Sequence, residues 1–168
     1  MKMRLDNIDL NNIKVAIFDF DDTLAIHKDK DFTKHRSESE ESFSNWYYNA
    51  YKNPNIFYEE IEPCTKSEIL YQFINNLRNK EIKMYCLSGM KFSFHLKAKQ
   101  TFIDKYYGDD IEVISTTSQE LKLKGVKIIG KINNCELDEI LFIDDNPNVI
   151  TLLEKNGVKS LLVNNIEW

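Results

Sequence analysis

No stretch of this 168-residue chain comes near the roughly 20 consecutive apolar residues that a bilayer-spanning helix needs. Its first residues, Met1 to Asn12, are too polar to read as a secretory signal. Cysteine is scarce as well. Cys64, Cys86 and Cys135 are odd in number, widely spaced and form no CxxC pair, so the sequence offers neither a disulfide framework nor a zinc site of that type. Free cysteines of this kind are most often small buried apolar residues. An excess of positive charge is also missing. The 22 Lys and Arg against 27 Asp and Glu leave a net charge of −5, which argues against an extended nucleic-acid surface while leaving room for a local basic pocket. There is no internal repeat and no low-complexity linker. These absences predict a soluble chain in a reducing, cytoplasmic setting, with no membrane partner, built as one domain with space for a small insertion.

What the chain does have is alternation. Short apolar runs at Ile13 to Phe18, Ile82 to Leu87, Ile111 to Ser115, Ile140 to Ile143 and Val158 to Val163 read as strands. Helical periodicity separates them. Lys66 to Asn79 carries Ile69, Leu70, Phe73, Ile74 and Leu77 on one face, and Phe92, Leu96, Phe102, Ile103 and Tyr106 repeat the pattern further on. Leu121, Ile128, Ile129 and Ile132 mark a third helix, with Ser118 or a neighbour as its N-cap, and a fourth starts near Pro147 and ends before Gly157. Strands and helices in this order predict an α/β fold in three layers, a Rossmann-like parallel sheet with helices on both faces. Residues 26–63 interrupt the alternation and read as a small, mainly helical insertion, leaving 1–25 and 64–168 as the core domain.

Polar residues fall at the ends of the apolar runs. Asp19-Phe20-Asp21-Asp22-Thr23 follows the first, Ser88-Gly89 the second and Asp144-Asp145 the fourth. In an open parallel sheet, ligands collect beyond the carboxyl ends of the strands, so these groups are expected to meet at one edge. Crowded carboxylates repel one another, and a hard cation bound through oxygen relieves that repulsion. Magnesium, which takes a few carboxylates, water and phosphate oxygens, suits the set.

The stretch VAIFDFDDTL, followed by CLSG, a lysine and LFIDDNPN, resembles the haloacid dehalogenase (HAD) superfamily, chiefly its phosphatases. The motifs stand in that family's order between Val15 and Asn148. The resemblance implies a magnesium-dependent phosphatase that hydrolyses a phosphomonoester through an aspartyl-phosphate. Asp19 corresponds to the nucleophile and Asp21 to the general acid and base, with the Asp21 backbone carbonyl reaching the Mg2+ ion. Ser88 and the following Gly89 N–H correspond to the phosphate-binding pair, although Ser-Gly after a strand, taken alone, is usually a turn. The family requires one lysine near the start of the helix before the fourth strand. Lys122, Lys124 and Lys127 qualify; Lys122 has the expected spacing to Asp145 (145 − 122 = 23), with Lys124 the runner-up. Asp145 corresponds to a direct metal ligand, with Asp19 beside it, and Asp144 to the residue that orients a metal-bound water or Lys122. Asn148 stands where the family often has a further acid.

Substrate choice would lie with the insertion. His27, Lys28, Lys30, Lys34, His35 and Arg36 make its first part basic, and they read as a solvated charged loop more readily than as a second anion site. Trp46, Tyr47 and Tyr48, near Phe43 and Tyr51 in helical register, read as the insertion's own core rather than a stacking platform. The expected substrate is a small phosphorylated metabolite or nucleotide, with a phosphoprotein as a further class. The alternative is a non-catalytic phosphate- or protein-binding module that keeps the fold, but such a module has no need of Asp21.

Overall fold

The structure, a computed structural model, describes residues 3–28, 39, 41–42, 44–45, 48, 61–64, 67–90 and 94–167. Most of the 26–63 insertion therefore lies outside the described residues. At its borders, β3 (Ala25–His27) pairs antiparallel with β4 (Ile61–Pro63), so the chain leaves and re-enters the core through a two-stranded ribbon. A second short pair joins β1 (Met3–Arg4) to β9 (Ile166–Glu167).

The centre is a five-stranded sheet with the order β6-β5-β2-β7-β8. Its members are β2 (Val15–Phe18), β5 (Lys83–Gly89), β6 (Ile111–Thr116), β7 (Ile140–Asp144) and β8 (Lys159–Leu162), every neighbouring pair parallel. Four helices supply the crossovers among the described residues: α1 (Ser67–Asn79), α2 (Phe94–Tyr106), α3 (Lys122–Ile132) and α4 (Pro147–Glu154). Both faces of the sheet are covered, as the unbroken apolar strands require. On β2 and β7, Ala16, Phe18, Leu141 and Ile143 join one core with Leu70, Phe73 and Leu77 of α1 and Phe102 and Ile103 of α2. The alternate residues Val15, Ile17, Ile140 and Phe142 join a second core with Val126 and Ile129 of α3 and Val149, Ile150 and Leu153 of α4. The period-2 geometry of a strand divides each apolar run between the two layers. Among the described residues no helix is long and apolar enough to cross a membrane.

Two local expectations need correction. The second strand does not end at Leu87: β5 continues through Ser88-Gly89, which pair with Ser115 and Thr116 of β6. The buried face of α3 is Lys122, Gly125, Val126, Ile129 and Gly130, whereas Leu121, Ile128 and Ile132 are exposed at 41%, 48% and 65%. Ile129 packs as expected; Val126 and two glycines complete the face, and glycines carry no hydrophobic signal. Glycine there permits close approach. A Cβ at Gly125 would stand 2.9 Å from Leu87 Cδ2 and 3.0 Å from Leu87 Cδ1. That approach seats the first turn of α3, and with it Lys122, against the carboxyl end of the sheet.

Gly125→Val should therefore destabilise the fold by about 1–3 kcal/mol through overpacking, outweighing the modest helix-propensity gain over glycine. Urea unfolding measures it; a stability equal to or above that of the wild type would refute the close-approach account.

Candidate active site

Strand register assembles the site. Phe18 of β2 pairs with Ile143 of β7 and with Cys86 of β5, and the ladder continues one step as Asp19 N–H donates to Ile143 O at 2.8 Å. Asp19, Asp144 and Ser88 thus lie at the carboxyl ends of three adjacent strands. In chain order these core strands run 3-2-1-4-5 across the sheet, so the reversal falls at β2 and β7, where α/β sheets bind ligands. The segment after Asp19 is held by a tight turn. Leu24 and Ala25 N–H both donate to Phe20 O, at 3.0 and 2.9 Å. Asp22 adopts φ 58°, a left-handed conformation that aspartate tolerates better than most residues. Phe20 anchors the turn, buried with its ring edge-on to Phe102 at 5.4 Å.

Of the three candidate lysines, Lys122 reaches the site. Its buried ammonium donates to Asp19 Oδ1 at 2.7 Å and to Asp144 Oδ2 at 2.6 Å, whereas Lys124 and Lys127 are exposed. Asp144 Oδ1 accepts the Asn146 N–H at 2.8 Å, so both of its oxygens are engaged in orienting neighbours. Asp19, Asp144 and Asp145 each offer a carboxylate oxygen, all within 4.8 Å of one another. A compact set of oxygen donors with more negative than positive charge fits a hard divalent cation such as magnesium. The Asp21 carboxylate is not in that cluster; the resemblance assigned its backbone carbonyl to the metal.

A second buried lysine escaped the sequence reading. Lys99 of α2 is fully buried and donates to Asp21 Oδ2 and to Ser88 Oγ, both at 2.7 Å. Its signal was present. His95, Lys99, Phe102 and Ile103 follow a single i, i+4, i+7, i+8 face, so two polar residues occupy core positions. His27 requires a correction too: it is not part of a solvated loop. Its side chain is 3% exposed, and Nε2 lies 3.1 Å from Asp21 Oδ1. Lys28 stands 3.8 Å from Glu62, and Tyr48 is 42% exposed. Lys30, Lys34, His35, Arg36, Phe43, Trp46, Tyr47 and Tyr51 lie outside the described residues.

Among solved structures, the chain is similar to a HAD-family enzyme of Bacteroides thetaiotaomicron crystallised with magnesium and inorganic phosphate. The identity is 16% and the TM-score 0.55, over 89% of this chain and 93% of that one. A phosphoserine phosphatase, captured as an analogue of its phospho-aspartyl intermediate, matches at 18% identity and TM-score 0.56, over 88% and 85%. The fold is that of the HAD-like hydrolases. A third match is the N-terminal part of a Bacteroides fragilis protein containing a phosphatase domain, complexed with magnesium. Its identity is 16% and its TM-score 0.55, over 89% of this chain but 35% of that longer one. No family model matches the sequence, and no curated protein does.

Electrostatics at this HAD-like strand edge follow from charge crowding. Burial pushes the Asp19 carboxyl up to about 6; Lys122 opposes the rise, and Asp144 and Asp21 add to it. For Lys122, burial opposes the charge, but Asp19 and Asp144 outweigh it and raise the ammonium pKa. The two shifts agree, because one cation shared between two carboxylates leaves a surplus of negative charge. Asp21 moves the other way. Burial disfavours its charge, but Lys99 and then His27 more than compensate and hold the carboxyl well below the usual carboxylate range. His95 is pushed down to about 4 by burial first and Lys99 second, so it is neutral at pH 7.

Since the folded chain binds a proton at Asp19 more tightly than the unfolded chain does, that site favours folding below the unfolded carboxyl value near 3.8. The advantage is lost as pH rises towards about 6. In chelator-treated protein, Asp19→Asn should therefore be more stable than wild type at pH 8, by up to about 3 kcal/mol, with the difference closing below pH 4. Urea unfolding across that range is the measurement; an Asp19→Asn protein less stable at pH 8 would contradict it.

Proposed function

We propose that this chain is a magnesium-dependent phosphohydrolase acting on phosphomonoesters, with Asp19 as nucleophile. The observation that carries the reading is the meeting, at the sheet's reversal point, of Asp19 with Lys122, Asp144 and Asp145, while Asp21 and Ser88 stand beside them joined through Lys99. The fold, shared with HAD-like hydrolases, supports it. A non-catalytic binding module would use Ser88 and Lys122 but has no use for a second acid tied into the same network.

In this mechanism the Asp19 carboxylate attacks phosphorus, forming an aspartyl-phosphate as the ester oxygen leaves with a proton from Asp21. Water then attacks the aspartyl-phosphate, giving its proton to Asp21, and inorganic phosphate and free Asp19 result. Lys99 and His27 favour the ionised form of Asp21, the form needed in this second half. The first half needs a proton placed on Asp21 against that preference. Lys122 balances charge on Asp19, and Asp144 holds Lys122 in place. Ser88 and the Gly89 N–H hold phosphoryl oxygens. Asp19, Asp145 and the Asp21 carbonyl would hold magnesium, which when bound supplies charge neutralisation for the phosphoryl group. The substrate class we assign is a small phosphorylated metabolite or nucleotide, ahead of a phosphoprotein, in a cytoplasmic setting. The 26–63 insertion, as a cap separate from the 1–25 and 64–168 core, would govern access.

A panel of phosphate esters assayed with magnesium tests this. Phosphate release should require the metal and should fall by on the order of 10³-fold or more in kcat/KM for Asp19→Asn and for Asp21→Asn. Activity that survives Asp19→Asn would sink the mechanism, and inactivity of the wild type on the whole panel would favour the binding module. Lys122→Met should lose activity on a comparable scale, whereas Lys124→Met should stay within about twofold of wild type, as expected for an exposed residue away from the chemistry.

A further inference from the structure

We infer that Lys99 is a positioning residue for phosphate, acting through the Ser88 hydroxyl and tying it to Asp21. The inference deepens the phosphohydrolase reading and rests on its assignment of Ser88 to phosphate. An ammonium has three donors and no acceptor. Two of the three are directed at Ser88 Oγ and Asp21 Oδ2, each at 2.7 Å, and the ammonium lies 4.4 Å over the Phe20 ring centroid. With no exposed surface and these three partners, Lys99 acts on a phosphate through its neighbours rather than by touching it.

The effect on Ser88 follows from the chemistry of a hydroxyl. Its oxygen receives the Lys99 N–H, so its single proton must be given elsewhere, and an incoming oxyanion is the acceptor it suits. A serine hydroxyl without such a neighbour rotates between giving and receiving; Lys99 fixes it as a giver. The same ammonium draws Asp21 towards Ser88, bridging the turn after β2 to the end of β5. A purely structural residue at this position would more simply be apolar. Lys99 shares its helix face with Phe102 and Ile103, and buried ion pairs are commonly replaced by apolar groups without loss of stability. Burial of an ammonium here is therefore better explained by what it does to Ser88.

Inorganic phosphate is the probe, because it has no leaving group and Asp21 proton transfer does not enter the readout. Its affinity for the full chain with magnesium present is measured by calorimetry for wild type, Lys99→Met, Lys99→Gln, Ser88→Ala and the double variant Lys99→Met/Ser88→Ala, with folding checked by circular dichroism. Lys99→Met and Ser88→Ala should each weaken phosphate by about tenfold, the scale of a lost hydrogen bond to a charged group. The double variant should be no weaker than the weaker single one, because both changes remove one interaction. Lys99→Gln retains a donor for Ser88 and should fall between wild type and Lys99→Met; it carries the test if Lys99→Met does not fold. Lys97→Gln, an exposed neighbour on α2, should bind as wild type. Unchanged affinity in Lys99→Met and Lys99→Gln, or losses that add in the double variant, would overturn the inference. Failure of the wild type to bind phosphate would overturn it together with the reading beneath it. Coupled losses in a protein that hydrolyses no ester would uphold Lys99 while removing the phosphohydrolase.

Discussion

The ammonium of Lys122 lies between the carboxylates of Asp19 and Asp144, and the rest of the site is arranged around that contact. Three carboxylates at adjacent strand ends would repel one another strongly in a buried setting, and a single lysine relieves only part of the repulsion. The remaining surplus is visible in Asp19, whose carboxyl holds its proton more tightly than an exposed aspartate does. The magnesium proposed for this site would complete the balance. The same electrostatic shortfall that weakens the fold locally is what the proposed metal would relieve.

The scaffold explains why that arrangement can persist. Five parallel strands fix the spacing of Asp19, Ser88 and Asp144 through backbone hydrogen bonds, and packing on both faces leaves those strands little freedom to shift. Helices contribute the cations. The glycine surface of α3 lets its first turn come close enough for Lys122 to enter, while α2 places Lys99 through the same face that buries Phe102. The acids are thus placed by the sheet and the bases by the layers on either side of it. Asp21 lies where the two systems meet, two residues beyond Asp19 and within reach of Lys99 and His27.

Much of this was legible in the sequence, for physical reasons. The innermost strands β2 and β7 announce themselves as apolar runs because strands covered on both faces have no polar side. Their ends announce the site because polar groups can gather only where the apolar runs stop. Lys122 could be distinguished from Lys124 by spacing, since two residues along a helix turn a side chain to the opposite face, inside or outside. Other features were less visible. Lys99 owes its role to Asp21, 78 residues away, and a lysine in an amphipathic stretch normally reads as solvated; His27 stood among basic residues that read as a charged loop. The packing face of α3 was legible only at Ile129, because Gly125 and Gly130 contribute through the absence of a side chain.

The ribbon formed by Ala25–His27 and Ile61–Pro63 has a consequence for how such a chain can change over time. A segment whose two ends are clasped side by side can be lengthened, shortened or exchanged while the path of the core remains as it was, since loop closure costs little more as a loop grows. The core therefore treats the segment as replaceable, with one reservation. His27 lies on the clasp itself and touches Asp21, so a newcomer grafted at this position inherits a contact with the chemistry whether or not it was selected for one.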